Sequence, residues 1–176
     1  MHYQVTLERK NLCTVVELQG PLHEVAGVPG LSPLKFPSTP NTYEKSQDSD
    51  KSQTLYWIGP QRWLLRAELD QEADLKRSLA EQELPDAVSA VLVSDSLSFF
   101  NITGVDASAV ISIASPMDVH PSAFPDNGAS YTEVFGLKAL VIRCDPELNK
   151  GFEVAVEQSY ADMLQDCFQR AIGTST

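Results

Sequence analysis

The residue types best suited to chemistry gather in one stretch, Ser115-Pro116-Met117-Asp118-Val119-His120-Pro121-Ser122-Ala123-Phe124-Pro125. Asp118 and His120 stand two apart, and a carboxylate next to an imidazole is the pairing that acid–base catalysis uses. The other reading is structural, with Asp118 accepting local backbone amides while His120 packs or bonds a carbonyl. The structural role is favoured, because no nucleophile or second base lies nearby in sequence. The prolines at 116, 121 and 125 hold this strap extended and stiff, out of helix and central strand. A rigid strap suits either an internal buttress or a preformed partner surface.

A second unusual stretch is Tyr56-Trp57-Ile58-Gly59-Pro60-Gln61-Arg62-Trp63-Leu64-Leu65. Trp57 and Trp63 flank a turn at Gly59-Pro60-Gln61, and such a pair is either a core clamp or an exposed binding platform. Both readings stand, with the core preferred. Elsewhere the chemistry is sparse. His2, His23 and His120 have no metal-ligand spacing, and Cys13, Cys144 and Cys167 form no C-x-x-C pair. Buried free thiols are the expectation for the cysteines. There is no G-x-S-x-G, no P-loop and no G-x-G-x-x-G. No residue is assigned a catalytic, cofactor-binding or metal-ligating role, and the chain alone is expected to bind neither flavin nor metal.

The elements that must position these residues read as a mixture of strands and helices. Strands are expected at Leu12 to Leu18, at Thr54 to Ile58 with Arg62 to Ala67 as a hairpin, at Val88 to Ser94 and at Leu97 to Ile102. Three more are expected at Ala129 to Phe135, Lys138 to Arg143 and Phe152 to Val156. A helix is expected from Asp70 to about Glu83, with Ala73, Leu75, Leu79 and Ala80 inward. A short one follows Asp106 as its cap, with Val105, Ala109, Val110 and Ile113 recurring at helical period until Pro116 ends it. The last helix is expected to start at an N-cap Ser159 with Asp162 three residues on, and to stop at Gly173. Its stripe of Tyr160, Met163, Leu164, Cys167, Phe168 and Ala171 reads as core. Thr54 to Glu83 and Lys138 to Ala171 each read hairpin, link, amphipathic helix, an arrangement-level repeat. The fold class is α+β, a mostly antiparallel sheet with amphipathic helices packed on it.

The 176 residues are expected to form a single domain over 1–176, with residues 27–53 a long surface loop rich in Pro and Ser. Thirteen Lys and Arg against 24 Asp and Glu give a net charge of −11, which makes nucleic acid a poor partner. No stretch has the roughly 20 apolar residues of a membrane span, and the start lacks a signal-peptide h-region. A cytoplasmic protein is expected.

Three segments carry a family resemblance. The Trp57-to-Leu65 run resembles the W-[LI]-G-P-D-E-W-L-L motif of the gamma subunit of heterotetrameric sarcosine oxidase. Pro116 to Pro125 is similar to that family's P-L-D-L-H-P-R-A-F-P. Phe152-Glu153-Val154-Ala155-Val156-Glu157-Gln158-Ser159-Tyr160-Ala161-Asp162 is similar to its closing F-E-L-x-V-x-R-S-F-A-D. All three stand in family order. The positions carried over are Trp57, Gly59, Pro60, Trp63, Asp118, His120, Pro121, Phe124, Pro125 and Tyr160, as interface or structural residues. Ser122 and Gln158 replace expected arginines, and Ser115 and Ala129 replace expected cysteines.

The resemblance implies a fold like the first, folate-binding domain of the glycine-cleavage aminomethyltransferase. It implies a small subunit without a cofactor of its own, in a complex with alpha, beta and delta subunits. Those partners are implied to hold FAD, FMN, NAD and zinc, and the complex to demethylate sarcosine and pass the one-carbon unit to tetrahydrofolate. The alternatives are the equivalent subunit of an N-methylglutamate dehydrogenase, or a free-standing folate-binding or one-carbon module.

Overall fold

Two tight turns, at Pro60-Gln61 and Phe135-Gly136, close hairpins, and each hairpin lies in a sheet of its own. The computed structural model describes residues 3–31, 34–46, 52–80, 83–144 and 151–173. The chain divides into two compact units, one of residues 12–94 and one of residues 1–11 with 95–176. In chain order the elements are β1 (Thr6–Arg9), β2 (Thr14–Gln19), α1 (Leu22–Val25), β3 (Tyr43–Lys45), β4 (Gln53–Gly59), β5 (Arg62–Ala67), α2 (Glu72–Ser78) and β6 (Ser89–Leu92). They continue as β7 (Leu97–Thr103), α3 (Ala107–Ala114), β8 (Ala129–Val134), β9 (Leu137–Arg143), β10 (Gly151–Glu157) and α4 (Ala161–Ile172).

The 12–94 unit holds a five-stranded sheet in the order β3-β4-β5-β2-β6, and the other unit one in the order β1-β7-β10-β9-β8. Every pairing is antiparallel. The α+β class therefore holds, with two sheets where one was expected. The repeat also extends beyond hairpin and helix. β2-α1-β3-β4-β5-α2-β6 and β7-α3-β8-β9-β10-α4 follow one order. In the second sheet β1 takes the place beside β7 that β6 takes beside β2. The N-terminal strand thus completes a sheet whose other strands begin after residue 95.

Alternation along the strands sends one set of side chains into each helix-covered core. In the 12–94 unit these are Val16, Leu18, Leu55, Trp63 and Leu65, joined by Leu75 and Leu79. In the other unit Phe100, Ile102, Val141, Phe152 and Val154 meet Val110, Ile111, Leu164 and Phe168. The opposite set is buried too: Val15, Tyr56 and Leu64 in one sheet, and Phe99, Leu140 and Ala155 in the other. Strands buried on both faces read as continuous apolar runs, as Ala139-Leu140-Val141-Ile142 does.

Several expectations are corrected. α2 spans only Glu72–Ser78, preceded by a 3-10 turn at Leu69–Gln71, and Ala73 is exposed. α3 buries Ala107, Val110, Ile111 and Ala114, while Val105 is 82% and Ile113 54% exposed. Its N-cap Asp106 makes no capping bond and instead accepts the Gln4 amide at 2.8 Å. α4 starts after a 3-10 turn that contains Ser159, with Tyr160 at the N-cap and no side-chain cap. Asp162 pairs with Arg9 at 2.9 Å rather than closing a capping box. Tyr160 is 45% exposed and Met163 is exposed as well, so neither is core. Gly173 does end the helix in the left-handed region, at φ 89°.

The 27–53 stretch is only partly surface loop. Val28, Leu31 and Leu34 are buried in the core of their unit, and Phe36 packs against it. Tyr43–Lys45 pairs with β4 as an edge strand. Four spaced apolar side chains among the prolines supply enough burial to tie the segment down. Residues 47–51, including Lys51, lie outside the described residues, as does His2.

Candidate functional site

The strap that follows α3 is pinned by its apolar residues and leaves its polar ones in solvent. Ser115 is buried at the helix end, where its Oγ accepts the Met117 amide at 3.2 Å and shares a bond with Thr132 Oγ1 at 3.3 Å. Val119 and Phe124 enter the core. Asp118, His120, Pro121, Ser122 and Pro125 are exposed. A turn after His120 lets its carbonyl accept the amides of Ala123 and Phe124, both at 2.9 Å. The Phe124 ring lies over Gly128, where an added Cβ would stand 2.6 Å from it.

Asp118 Oδ1 accepts the backbone N–H of His120 at 2.9 Å, closing a local Asx-type turn. The imidazole turns to Ser122: Nδ1 lies 2.8 Å from Ser122 Oγ and 3.3 Å from the Ser122 amide nitrogen. An amide N–H only donates, so Nδ1 is the acceptor and the ring proton of the neutral form sits on Nε2. Asp118 thus orders the backbone of His120, and the ring braces the next turn. These contacts hold a loop shape. The Ser122 that replaces an expected arginine is itself part of the brace.

The sequence reading missed Arg143, at the end of β9, which locks the strap from below. Its guanidinium donates to the Val119 carbonyl and stacks over the rings of Phe124 at 5.6 Å and Phe152 at 5.1 Å. Its pairing with Phe152 across β9 and β10 places it there. A lone arginine at a strand end carries no sequence signal for such a role, since the contacts come from residues 9 to 24 positions away.

In the other unit, Trp63 is 2% exposed and belongs to the core, with Phe36 edge-on at 5.5 Å and the half-buried Trp57 ring at 6.4 Å. The clamp reading therefore applies to Trp63, with Trp57 covering it. Among the described residues Trp63 Nε1 is buried with no hydrogen-bond partner. Gly59 and Pro60 form the turn: Pro60 supplies the first central φ and Gln61, at φ 56°, the second, the type II pattern. Gln61 is tied by its carbonyl, which accepts the Gly20 amide at 3.0 Å. The Trp57 and Asp118 motifs thus lie in different units. The closing motif lies with the strap, its Phe152 in the core and its Tyr160 exposed at the start of α4. Among the described residues no group of three His, Cys, Asp or Glu stands close enough to hold a metal ion.

The fold is shared with solved proteins. A heterotetrameric sarcosine oxidase from Corynebacterium sp. U-96, solved with pyrrole 2-carboxylate, contains a chain similar at TM-score 0.75 and 20% identity, over 98% of this chain and 87% of that one. The glycine cleavage system aminomethyltransferase T from Bartonella henselae is similar at TM-score 0.69 and 12% identity, over 96% of this chain and 46% of its own. The chain thus spans about half the length of that transferase. No curated protein matches significantly. A model of the family described as sarcosine oxidase, gamma subunit family, matches residues 46–173, a range that contains all three motifs. The chain belongs to the sarcosine oxidase gamma subunit family.

Proposed function

We propose that this chain is the non-catalytic small subunit of a heterotetrameric sarcosine-oxidase-type flavoenzyme. The observation that carries the reading is the family match over residues 46–173, which takes in motifs from both units. The strap geometry supports a structural part, since Asp118 and His120 bond within their own loop and the core residues beside them anchor it. In this reading the alpha, beta and delta subunits are the partners. They hold FAD, FMN, NAD and zinc, and the complex oxidatively demethylates sarcosine and delivers the one-carbon unit to tetrahydrofolate. Cys13 is buried, Cys144 and Cys167 are half-buried, and among the described residues none is joined in a disulfide, in keeping with a reducing cytoplasmic setting.

The test is co-expression of the alpha, beta and delta subunits with and without this chain. The expected result is a stable complex that oxidises sarcosine only when the chain is present. A complex that assembles and turns over without it overturns the reading. Tight binding of tetrahydrofolate by the isolated chain favours a free-standing folate module instead, and turnover of N-methylglutamate in place of sarcosine assigns the sister enzyme.

A further inference from the structure

The sheet of the 12–94 unit ends at β6, which pairs on one side with β2. Val93 donates its amide inward to the Val15 carbonyl at 2.8 Å. Backbone groups alternate along an antiparallel strand, so Val91 also faces β2, while Ala90 and Leu92 point N–H and C=O outward. Val91 is 53% and Leu92 38% exposed, on opposite faces, so the edge is open above and below.

Sheet edges are ordinarily blunted by charge, proline or shortness. The other edges of these two sheets follow that rule. β3 has three residues, two of them Glu44 and Lys45. β1 carries Glu8 and Arg9, and β8 carries Glu133. β6, four residues long, differs from them in its uncharged run, since from Ala87 to Ser94 there is no charge and no proline.

We propose that β6 takes up an added strand from another subunit of the complex, an extended segment with an apolar middle and basic residues at its ends. This rests on the subunit reading above. The charges select the occupant. Exposed acids flank the edge, Asp86 before it and Asp95 after it. A second copy fits badly: antiparallel pairing about Val91 would bring Asp86 of one copy beside Asp95 of the other at each end, on chains of net charge −11. A strand with Lys or Arg at its ends meets both acids favourably and satisfies the outward groups of Ala90 and Leu92.

The test is amide hydrogen exchange at Ala90 and Leu92 in the free full-length chain and in the complex assembled with alpha, beta and delta subunits. Protection of both amides by at least about tenfold on assembly is expected. Leu92→Pro removes one outward donor and leaves the inward bonds of Val91 and Val93 in place. It should leave the melting temperature of the free chain unchanged and lower recovery of the complex at least about tenfold. An assembled complex whose Ala90 and Leu92 amides exchange as in the free chain overturns the proposal and leaves the subunit reading standing. Failure of any complex to form overturns the subunit reading, and the proposal falls with it. A concentration-dependent dimer of the free chain that Leu92→Pro abolishes assigns the edge to a second copy and also overturns it.

Discussion

Asp118 and His120 are the residues that most resemble catalytic machinery, and their bonds end within four residues of where they start. Both are exposed, so water replaces most of what a truncation removes. Asp118→Ala should cost about 0.5–1.5 kcal/mol and His120→Ala less than about 1 kcal/mol, measured by denaturant unfolding of the isolated chain. Turnover per flavin of whatever complex assembles should stay near normal. A loss of about a hundredfold in turnover with assembly intact, the scale of a missing acid–base group, would make the pair catalytic. Trp63 presents the reverse case, a buried group with an unsatisfied donor. Leaving such an N–H without a partner costs roughly 1–3 kcal/mol, which offsets the smaller ring of a replacement. Trp63→Phe should therefore fall within about 1 kcal/mol of the natural chain, whereas Trp63→Ala should cost about 3–5 kcal/mol. If Phe proves as damaging as Ala, the indole N–H has a partner that matters.

At the scale of the element, α3 shows how a pattern with the right period takes the wrong phase. Ala107-Ser108-Ala109-Val110-Ile111-Ser112-Ile113-Ala114 has no charge on any face. Period alone finds a helix there and does not say which side turns inward. The packing decides for Ala107, Val110, Ile111 and Ala114, and leaves Val105 and Ile113 out. Ile111→Ala should then cost about 2–5 kcal/mol and Ile113→Ala under about 0.5 kcal/mol, read from paired denaturation curves. Equal costs would restore the other phase. α4 was read more closely because charged residues mark its outer face and Gly173 its end. Its start was misread because Ser159 falls in a 3-10 turn and Asp162 is drawn to Arg9, on β1.

At the scale of the whole molecule, the β1 strand ties the chain's start to a sheet built from its second half. β1 covers one edge of β7 over four register pairs, and bonds from Tyr3 to Ile172 and from Lys10 to Phe99 extend the attachment. Val5 and Leu7 pack against the core beneath. Deleting residues 1–10 should expose that edge and accelerate amide exchange along β7 at least about a hundredfold, equivalent to about 2.7 kcal/mol. Unchanged protection in β7 would show that β1 is dispensable to its sheet.

All the described strands except β1 and β3, the two hairpins, the C-terminal stop and the family motifs were legible in the sequence alone. Alternation, turn chemistry and a left-handed glycine act over a few residues, and a motif such as Trp57 to Leu65 carries its own spacing. Tertiary structure alone decided that the strands form two sheets, that β1 completes the second, and that Val28, Leu31, Leu34 and Phe36 pack inward. Among the described residues it also placed Arg143 under the strap, left Trp63 Nε1 without a hydrogen-bond partner and set β6 at a sheet edge. Each of these depends on which distant segment arrives alongside. A sequence states what a strand wants to pair with, and only the assembled fold states which edge is left over.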